Sequence, residues 1–402
     1  MSRVGQVGTG GISMTDYHIR DLHAPDVVLK DMPATQELWA HDDPYDLSGT
    51  EEVYLEAVKE NLKAHEKNGF YADWLKRNGF SVDNLKTIDD IARIPPIHAN
   101  FYKTHVVKTK PDDEYVITLT SSGTTGQKSQ MFFDEWTMFA SDKSGDTQMD
   151  RYGHITDGPV NFLMYSYEPA EGVNMGTLRT RQMMRRYGKE NELVYALKYT
   201  GKGHEFDLFG CIDALKRFEE QGLPVYILGF PAFLYFTLDK MESMGMPPLK
   251  LNERSFVCMG GGWKGFADKQ LSSEEFREYA GKRLGLPHTC FRETYGAVEH
   301  GVGYTDCEHH HFHVPIYDRV LIRDPVTLKP LGYNRKGFIN FVSPLNTGVP
   351  VTSLLMGDFG ILHEPGSCPC GNGSPWLEVV GRAGVSKNKS CAIAAAEILR
   401  RR

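Results

Sequence analysis

Thr118 to Gln130 reads TLTSSGTTGQKSQ: a β-rich stretch, Tyr115 to Thr120, runs into hydroxyl-bearing and small residues. Exposed backbone N–H groups and Ser/Thr hydroxyls in such a loop can wrap a polyphosphate. Gly123 and Lys128 do not satisfy the P-loop pattern G-x-x-x-x-G-K-[ST]; the alternative is a surface loop. GGGWKG, Gly260 to Gly265, follows the apolar stretch Ser255 to Met259 and formally meets G-x-G-x-x-G. No acidic residue ends a following strand at the dinucleotide-fold offset, so this reads as a close-approach glycine turn. In FRETYGAVEHG, Phe291 to Gly301, Tyr295 and Gly296 precede Glu299, a carboxylate able to hold magnesium beside a nucleoside triphosphate. By itself it would be an ordinary polar turn. In MGDFG, Met356 to Gly360, Asp358 follows the expected strand Val351 to Leu355, where a carboxylate can accept both hydroxyls of a ribose. Gly381-Arg382, after Leu377 to Val380, offers a guanidinium suited to ribose or phosphate.

Four of the seven cysteines fall after residue 300. Seven in a chain of this length do not make a disulfide framework. Cys307-x5-His313 and Cys368-x-Cys370 supply four ligands, enough for a tetrahedral zinc, with His309, His310 and His311 as rival ligands. The alternative is free thiols in turns beside a solvated histidine run. In KNKSCAIAAAEIL, Ser390 is the expected N-cap, which places Cys391 in the first turn of an Ala-rich helix behind Lys387 and Lys389. A helix N-terminus and adjacent cations favour the nucleophilic thiolate; otherwise Cys391 is a small buried residue. Cys211, Cys258 and Cys290 sit in apolar patterns and read as core.

The elements that must carry these groups follow from the rest of the chain. It has 402 residues, 41% hydrophobic and 24% charged, with 45 basic against 52 acidic side chains and a net charge of −7. That composition is globular and excludes collagenous, coiled-coil and wholly disordered chains. The mild acidity argues against nucleic acid as a partner. The longest apolar run, Leu223 to Leu238, is broken by Pro224 and Pro231, too short for a membrane span. The N-terminus has no basic segment followed by an apolar one, so cytoplasm is the expected location.

Residues 1–45 lack periodicity and read as an arm, in part disordered. From Ser48, with Glu51 as a capping box, Tyr54, Val58 and Leu62 mark a helix that Asn68-Gly69 stops; a second runs to Asn78-Gly79. Strands at Val160 to Tyr165, Val225 to Leu228 and Ser255 to Met259 alternate with helices ending near Gly222, beginning at Pro231, and opened by Ser272 with Glu275. This rhythm predicts a mostly parallel sheet covered by helices over 46–300. Short β segments from Arg319 onward, linked by Asp-Pro, Pro-Leu-Gly and Asn-Thr-Gly turns, predict a hairpin-rich or barrel-like β subdomain over 301–385, then a tail, 386–402, carrying Cys391.

SSGTTG, GGGWK, YGAVE, GDFG and GR, in that order, resemble the motif series of the adenylate-forming (acyl-activating) superfamily. The resemblance implies an α/β fold: the large domain of these enzymes, parallel sheets covered by helices plus a β-barrel-like subdomain. It implies that Ser121, Ser122, Gly123, Thr124, Thr125, Gly126 and Lys128 cradle the ATP phosphates. Gly260, Gly261 and Gly262 would flank the adenine near Tyr295 and Gly296, Glu299 would bind Mg2+, and Asp358 and Arg382 would hold the ribose. Val298 replaces the usual threonine, which removes a hydroxyl contact at the α-phosphate. Only 20 residues follow Arg382 where relatives carry a lid domain, so no lid and no lid lysine are expected.

With IPPIHANFYKTH (Ile94 to His105), GFPAFL (Gly229 to Leu234) and a near-terminal cysteine, the chain resembles the acyl-protein synthetase (LuxE-type) family; phenylacetate-CoA ligases are its lidded cousins. Some of those ligases bind structural zinc through similar Cys and His pairs. The resemblance implies ATP-dependent activation of a carboxylic, fatty, acid, transfer to Cys391 as a thioester, and delivery to a partner protein such as an acyl reductase. The tail ending in Arg400, Arg401 and Arg402 would let Cys391 swing between sites. Two alternatives stand beside this: an acid-CoA ligase or adenylase releasing its adenylate to CoA or a carrier protein, and a zinc-stabilised nucleotide-binding protein without activity.

Overall fold

The computed structural model describes residues 27–120, 129–170, 184–260, 263, 266 and 270–382. Helix α1 (Pro33–Trp39), with proline in its first turn, stands where an arm was expected. Its Trp39 is buried, stacks on Tyr317 at 4.8 Å and donates its indole N–H to the Ala140 carbonyl at 3.1 Å. The next helix, α2 (Glu51–His65), buries Tyr54, Val58 and Leu62 as predicted. Its start differs from the expected Ser48 box, because Gly49 turns the chain at φ 68° and Thr50 is the N-cap. Asn68 does not stop this helix. It caps α3 (Gly69–Arg77), accepting from the Tyr71 N–H at 3.0 Å.

After β1 (Ile97–His98), the expected strand β2 (Tyr115–Thr120) pairs antiparallel with β3 (Gln130–Asp134). Helix α4 (Glu135–Arg151) follows directly, capped by Asp134.

The alternating region is β4 (Pro159–Tyr167), β5 (Lys189–Tyr199), β6 (His204–Phe206), α5 (Leu208–Gln221), β7 (Val225–Gly229), α6 (Pro231–Ser243), β8 (Phe256–Met259), α7 (Ser273–Leu284), β9 (Phe291–Tyr295) and β10 (Tyr304–Thr305). These strands form one sheet in the order β10-β9-β8-β7-β4-β5-β6, parallel from β9 to β5 with antiparallel edges. Local signals set the helix ends. Gly222 in the left-handed region ends α5, Pro231 opens α6, and a Ser272–Glu275 capping box opens α7. Strand order reverses at β4, and sheets of this kind bind ligands outside the carboxyl ends of their strands at that point.

The β-rich region holds β11 (Phe312–His313), β12 (Arg319–Arg323), β13 (Pro330–Leu331), β14 (Lys336–Val342), β15 (Ser353–His363) and β16 (Trp376–Arg382). Their order is β11-β16-β15-β14-β12-β13, with β1 added parallel to β15; this sheet is hairpin-rich and open-edged. β15 and β16 outrun the expected strands, so Asp358 and Arg382 lie within strands rather than after them.

The packing does not divide at residue 300. One core joins Leu38, Tyr54, Leu62 and Ile97 to Tyr317, Phe341 and Leu354, so the N-terminal helices pack on the β-rich sheet. A second core, including Leu163, Ile212, Ile227, Leu234 and Phe291, lies under the helices of the parallel sheet. Among the described residues no helix is long and apolar enough to cross a membrane.

Candidate active site

Asp358 on β15 and Arg382 on β16 are direct cross-strand partners. The Arg382 Nε lies 3.6 Å from Asp358 Oδ1, and the Tyr295 hydroxyl donates to Oδ2 at 3.3 Å. Tyr295 ends parallel strand β9, so one residue from each sheet meets at this carboxylate. Burial and the Asp358 charge push the Tyr295 phenol well up, which keeps it protonated as a donor. A part-exposed carboxylate with a cation beside it and an aromatic ring against it can accept ribose hydroxyls under a purine.

Glu299 occupies the loop from β9 to β10, in a turn closed by the His300 N–H on the Ala297 carbonyl at 3.0 Å. The residue is 6% exposed, and its carboxylate makes no hydrogen bond among the described residues. Its charge raises the Tyr102 phenol, although burial is the larger cause. Tyr102 comes from the Ile94 to His105 segment, whose β1 pairs with β15, the strand that carries Asp358. That motif is readable in the sequence, but its spacing carries no hint that Tyr102 lies within electrostatic range of Glu299.

Gly260 leaves β8 with its N–H on the Gly229 carbonyl at 2.9 Å. Gly229, at φ 138°, has no room for a side chain: a Cβ would stand 2.2 Å from the Tyr165 carbonyl oxygen. Three parallel strands thus end in backbone contact at the point where the order reverses. Most of Val225 to Leu238 is core, while Phe233, Tyr235 and Phe236 are half-buried. Ser121, Ser122, Gly123, Thr124, Thr125, Gly126, Lys128, Gly261, Gly262 and Cys391 lie outside the described residues.

The fourfold Cys/His set does converge. The ligand atoms of Cys307, His313, Cys368 and Cys370 all lie within 4.8 Å of one another. Cys307 and Cys368 sulfurs are 3.7 Å apart, and Cys370 Sγ is 3.2 Å from His313 Nε2. A tetrahedral zinc with bonds of about 2.0–2.3 Å separates its ligands by roughly 3.3–3.8 Å, close to these two separations, and three thiols with one imidazole are a donor set that suits that ion. Ser374 Oγ, 3.3 Å from His313 Nδ1, orients the ring, as outer groups do at metal histidines. Burial holds the imidazole down at about 4, the neutral ligand form, and pushes the Cys307 and Cys368 thiols up. His311 also meets the cluster, with its Nδ1 3.1 Å from Cys368 Sγ and its carbonyl accepting from the Cys307 N–H at 3.0 Å, while its ring stacks on Trp376. The buried His313 on β11 is the histidine whose ligand atom lies within 4.8 Å of those of all three cysteines.

The chain matches the profile of the family described as Acyl-protein synthetase, LuxE, over residues 30–400. It is 26% identical over 333 residues to a long-chain-fatty-acid–luciferin-component ligase of Aliivibrio fischeri, covering 79% of this chain and 81% of that one. A Vibrio harveyi protein of the same name is 24% identical over 331 residues, covering 82% and 83%. Among solved structures, an open conformation of 2-hydroxyisobutyryl-CoA ligase superposes with a TM-score of 0.63 at 14% identity, over 87% of this chain and 79% of that one. A post-adenylation state of the same ligase gives 0.64 over 85% and 69%. At that identity the likeness is one of fold, the large domain of adenylate-forming enzymes.

Proposed function

The chain belongs to the LuxE acyl-protein synthetase family and is a ligase; from that premise we propose that it activates a fatty acid with Mg-ATP and carries the acyl group on Cys391. The carboxylate oxygen attacks the α-phosphorus, the bond to pyrophosphate breaks, and an acyl-adenylate remains. The Cys391 thiolate then attacks the acyl carbonyl and expels AMP, leaving a thioester. A thiolate of a partner protein, an acyl reductase by chemical logic, takes the acyl group and returns Cys391 to its thiolate. The family's description as an acyl-protein synthetase supports a protein as the acyl acceptor.

The observation that carries this reading is the meeting of Tyr295, Asp358 and Arg382 at the seam of the two sheets, with the Glu299 turn on the same loop as Tyr295. In the proposal Asp358 accepts the ribose hydroxyls, Arg382 holds Asp358 and reaches the ribose, and Tyr295 with Gly296 and the Gly260–Gly262 turn encloses the base. Ser121 to Gly126 and Lys128 wrap the phosphates. Glu299 would hold magnesium, which when bound offsets the charge developing on the triphosphate. Cys307, His313, Cys368 and Cys370 would hold a structural zinc. The location proposed is the cytoplasm, where the thiols stay reduced.

The test is to incubate the protein with Mg-ATP and a panel of acids, and to take intact mass before and after hydroxylamine. An acyl adduct that hydroxylamine removes, and that Cys391→Ser abolishes while acid-dependent pyrophosphate release persists, supports the proposal. Pyrophosphate release without any adduct would instead assign an acid-CoA ligase or adenylase, and no turnover with any acid would leave a binding protein.

A further inference from the structure

Behind Glu299 stands a buried polar cluster that no step above uses. The His300 ring stacks on Phe341 at 4.2 Å between centroids, and its Nε2 lies 2.6 Å from Asp318 Oδ2. The Tyr304 hydroxyl donates to the same oxygen, and the Arg319 N–H donates to Oδ1 at 2.8 Å. Both members of the His300–Asp318 pair are at most 2% exposed. Buried carboxylates and imidazoles are costly unless every partner is in place, and apolar residues of similar volume would pack such a site as well or better.

The cluster's connections explain why it is there. Glu299 is the third residue, and His300 the fourth, of the turn closed on Ala297, so the backbone of His300 sets where the Glu299 carboxylate stands. Tyr304, at the far end of the loop, pairs directly with Tyr295 at its near end. From the other side α4 holds two loop carbonyls, Ser141 Oγ on Gly301 and Gln148 Nε2 on Gly303, each at 2.7 Å. Gly301 turns at φ 84°, with Leu345 filling the space where a Cβ would be. The loop is thus pinned at His300, Gly301, Gly303 and Tyr304, and Glu299, the one acidic residue between Tyr295 and Tyr304, takes no part in those hydrogen bonds.

We propose that His300, Asp318 and Tyr304 are positioning residues that fix the Glu299 carboxylate for a metal-bound triphosphate. The inference rests on reading Glu299 as the magnesium carboxylate. It predicts that damage to the cluster is felt through Glu299 and not through general loss of structure.

Acid-dependent pyrophosphate release is measured against free Mg2+ at saturating ATP for His300→Leu, His300→Gln, Tyr304→Phe, Glu299→Gln and the double variant His300→Leu/Glu299→Gln. Thermal unfolding of each variant is followed in parallel. His300→Leu is expected to raise the half-saturating Mg2+ roughly tenfold, and His300→Gln, whose amide can still donate to Asp318, to recover most of the loss. In the Glu299→Gln background His300→Leu is expected to add less than about twofold, the signature of action through one group. If His300→Leu yields no folded protein, Tyr304→Phe, which keeps the ring and removes one donor, carries the same comparison. An unchanged Mg2+ dependence in folded His300→Leu, or an equal effect in both backgrounds, overturns the positioning role and leaves Glu299 as assigned. A normal Mg2+ dependence in Glu299→Gln alone overturns the metal role of Glu299, and the positioning role with it.

Discussion

Arg382 reaches Asp358 from the neighbouring strand, Nε to Oδ1 3.6 Å, at positions that are directly paired in the β15–β16 register. The pairing matters because it sets a cation beside the carboxylate that Tyr295 also holds from the other sheet.

For Asp358 the expected cost is in nucleotide binding. A hydrogen bond to a charged group contributes about 1.5–3 kcal/mol, so Asp358→Ala should raise the KM for ATP roughly 10- to 100-fold. Arg382→Ala should also raise it while leaving unfolding stability within about 0.5 kcal/mol, since the Arg382 side chain is 82% exposed and such pairs add little to the fold. Steady-state pyrophosphate release and denaturant unfolding measure the two effects separately.

Protein purified without chelator should contain about one zinc per chain, and Cys370→Ser should lower that content while leaving acid-dependent pyrophosphate release measurable. Inductively coupled plasma analysis decides it: no zinc in protein with all four ligands intact would end the assignment of Cys307, His313, Cys368 and Cys370.

His65 makes stability depend on pH. It lies fully buried between the Thr109 hydroxyl at 2.6 Å and the Asn346 carbonyl at 2.9 Å, and burial lowers its pKa from 6.5 to about 4. Between those values the unfolded chain binds the proton that the folded one refuses, so stability is full above pH 6.5 and is lost as pH falls toward 4. At about 1.4 kcal/mol per unit, this single group accounts for up to about 3 kcal/mol. His65→Gln should flatten the slope of stability against pH across that window, whatever it does to stability at pH 7. An unchanged slope in urea titrations at pH 4.5, 5.5 and 6.5 would refute it.

Gly229→Ala should cost roughly 3 kcal/mol or more, because a left-handed φ and a backbone clash act together. A Cβ would meet the Tyr165 carbonyl at 2.2 Å, and neither backbone can yield without disturbing the strand ends beside Gly260. Thermal unfolding within a degree of the parent would contradict this.

Much of this arrangement was readable where chemistry is local. Ser272 with Glu275, Gly222 and Pro231 announce helix ends because capping involves neighbouring residues only. Cys-x-Cys and Cys-x5-His spacing likewise announced the cluster, but only distance in the fold could choose His313 over His311. MGDFG misled. Its glycines resemble a turn, yet Gly360 sits inside β15, where a Cβ would stand 2.7 Å from Ile339 and 2.9 Å from the Glu378 carbonyl. There glycine serves close packing between strands, and a residue pattern does not distinguish that from a turn. α1 escaped notice because seven residues are too few to show a period, and its stability comes from Trp39 on Tyr317, a contact made far along the chain.

The shared core of the N-terminal helices and the β-rich sheet bears on how the chain can be made. The Tyr54 hydroxyl finds its acceptor, the Val342 carbonyl, 288 residues later, and at about 5–20 residues per second a ribosome supplies that partner roughly 15–60 s after the tyrosine itself. Throughout that interval the apolar faces of α1 and α2 have no sheet to cover them, whereas the parallel sheet draws its strands from one continuous stretch. During synthesis the middle of this protein can therefore settle before its beginning, and the opening helices are the segment that a chaperone would need to shield.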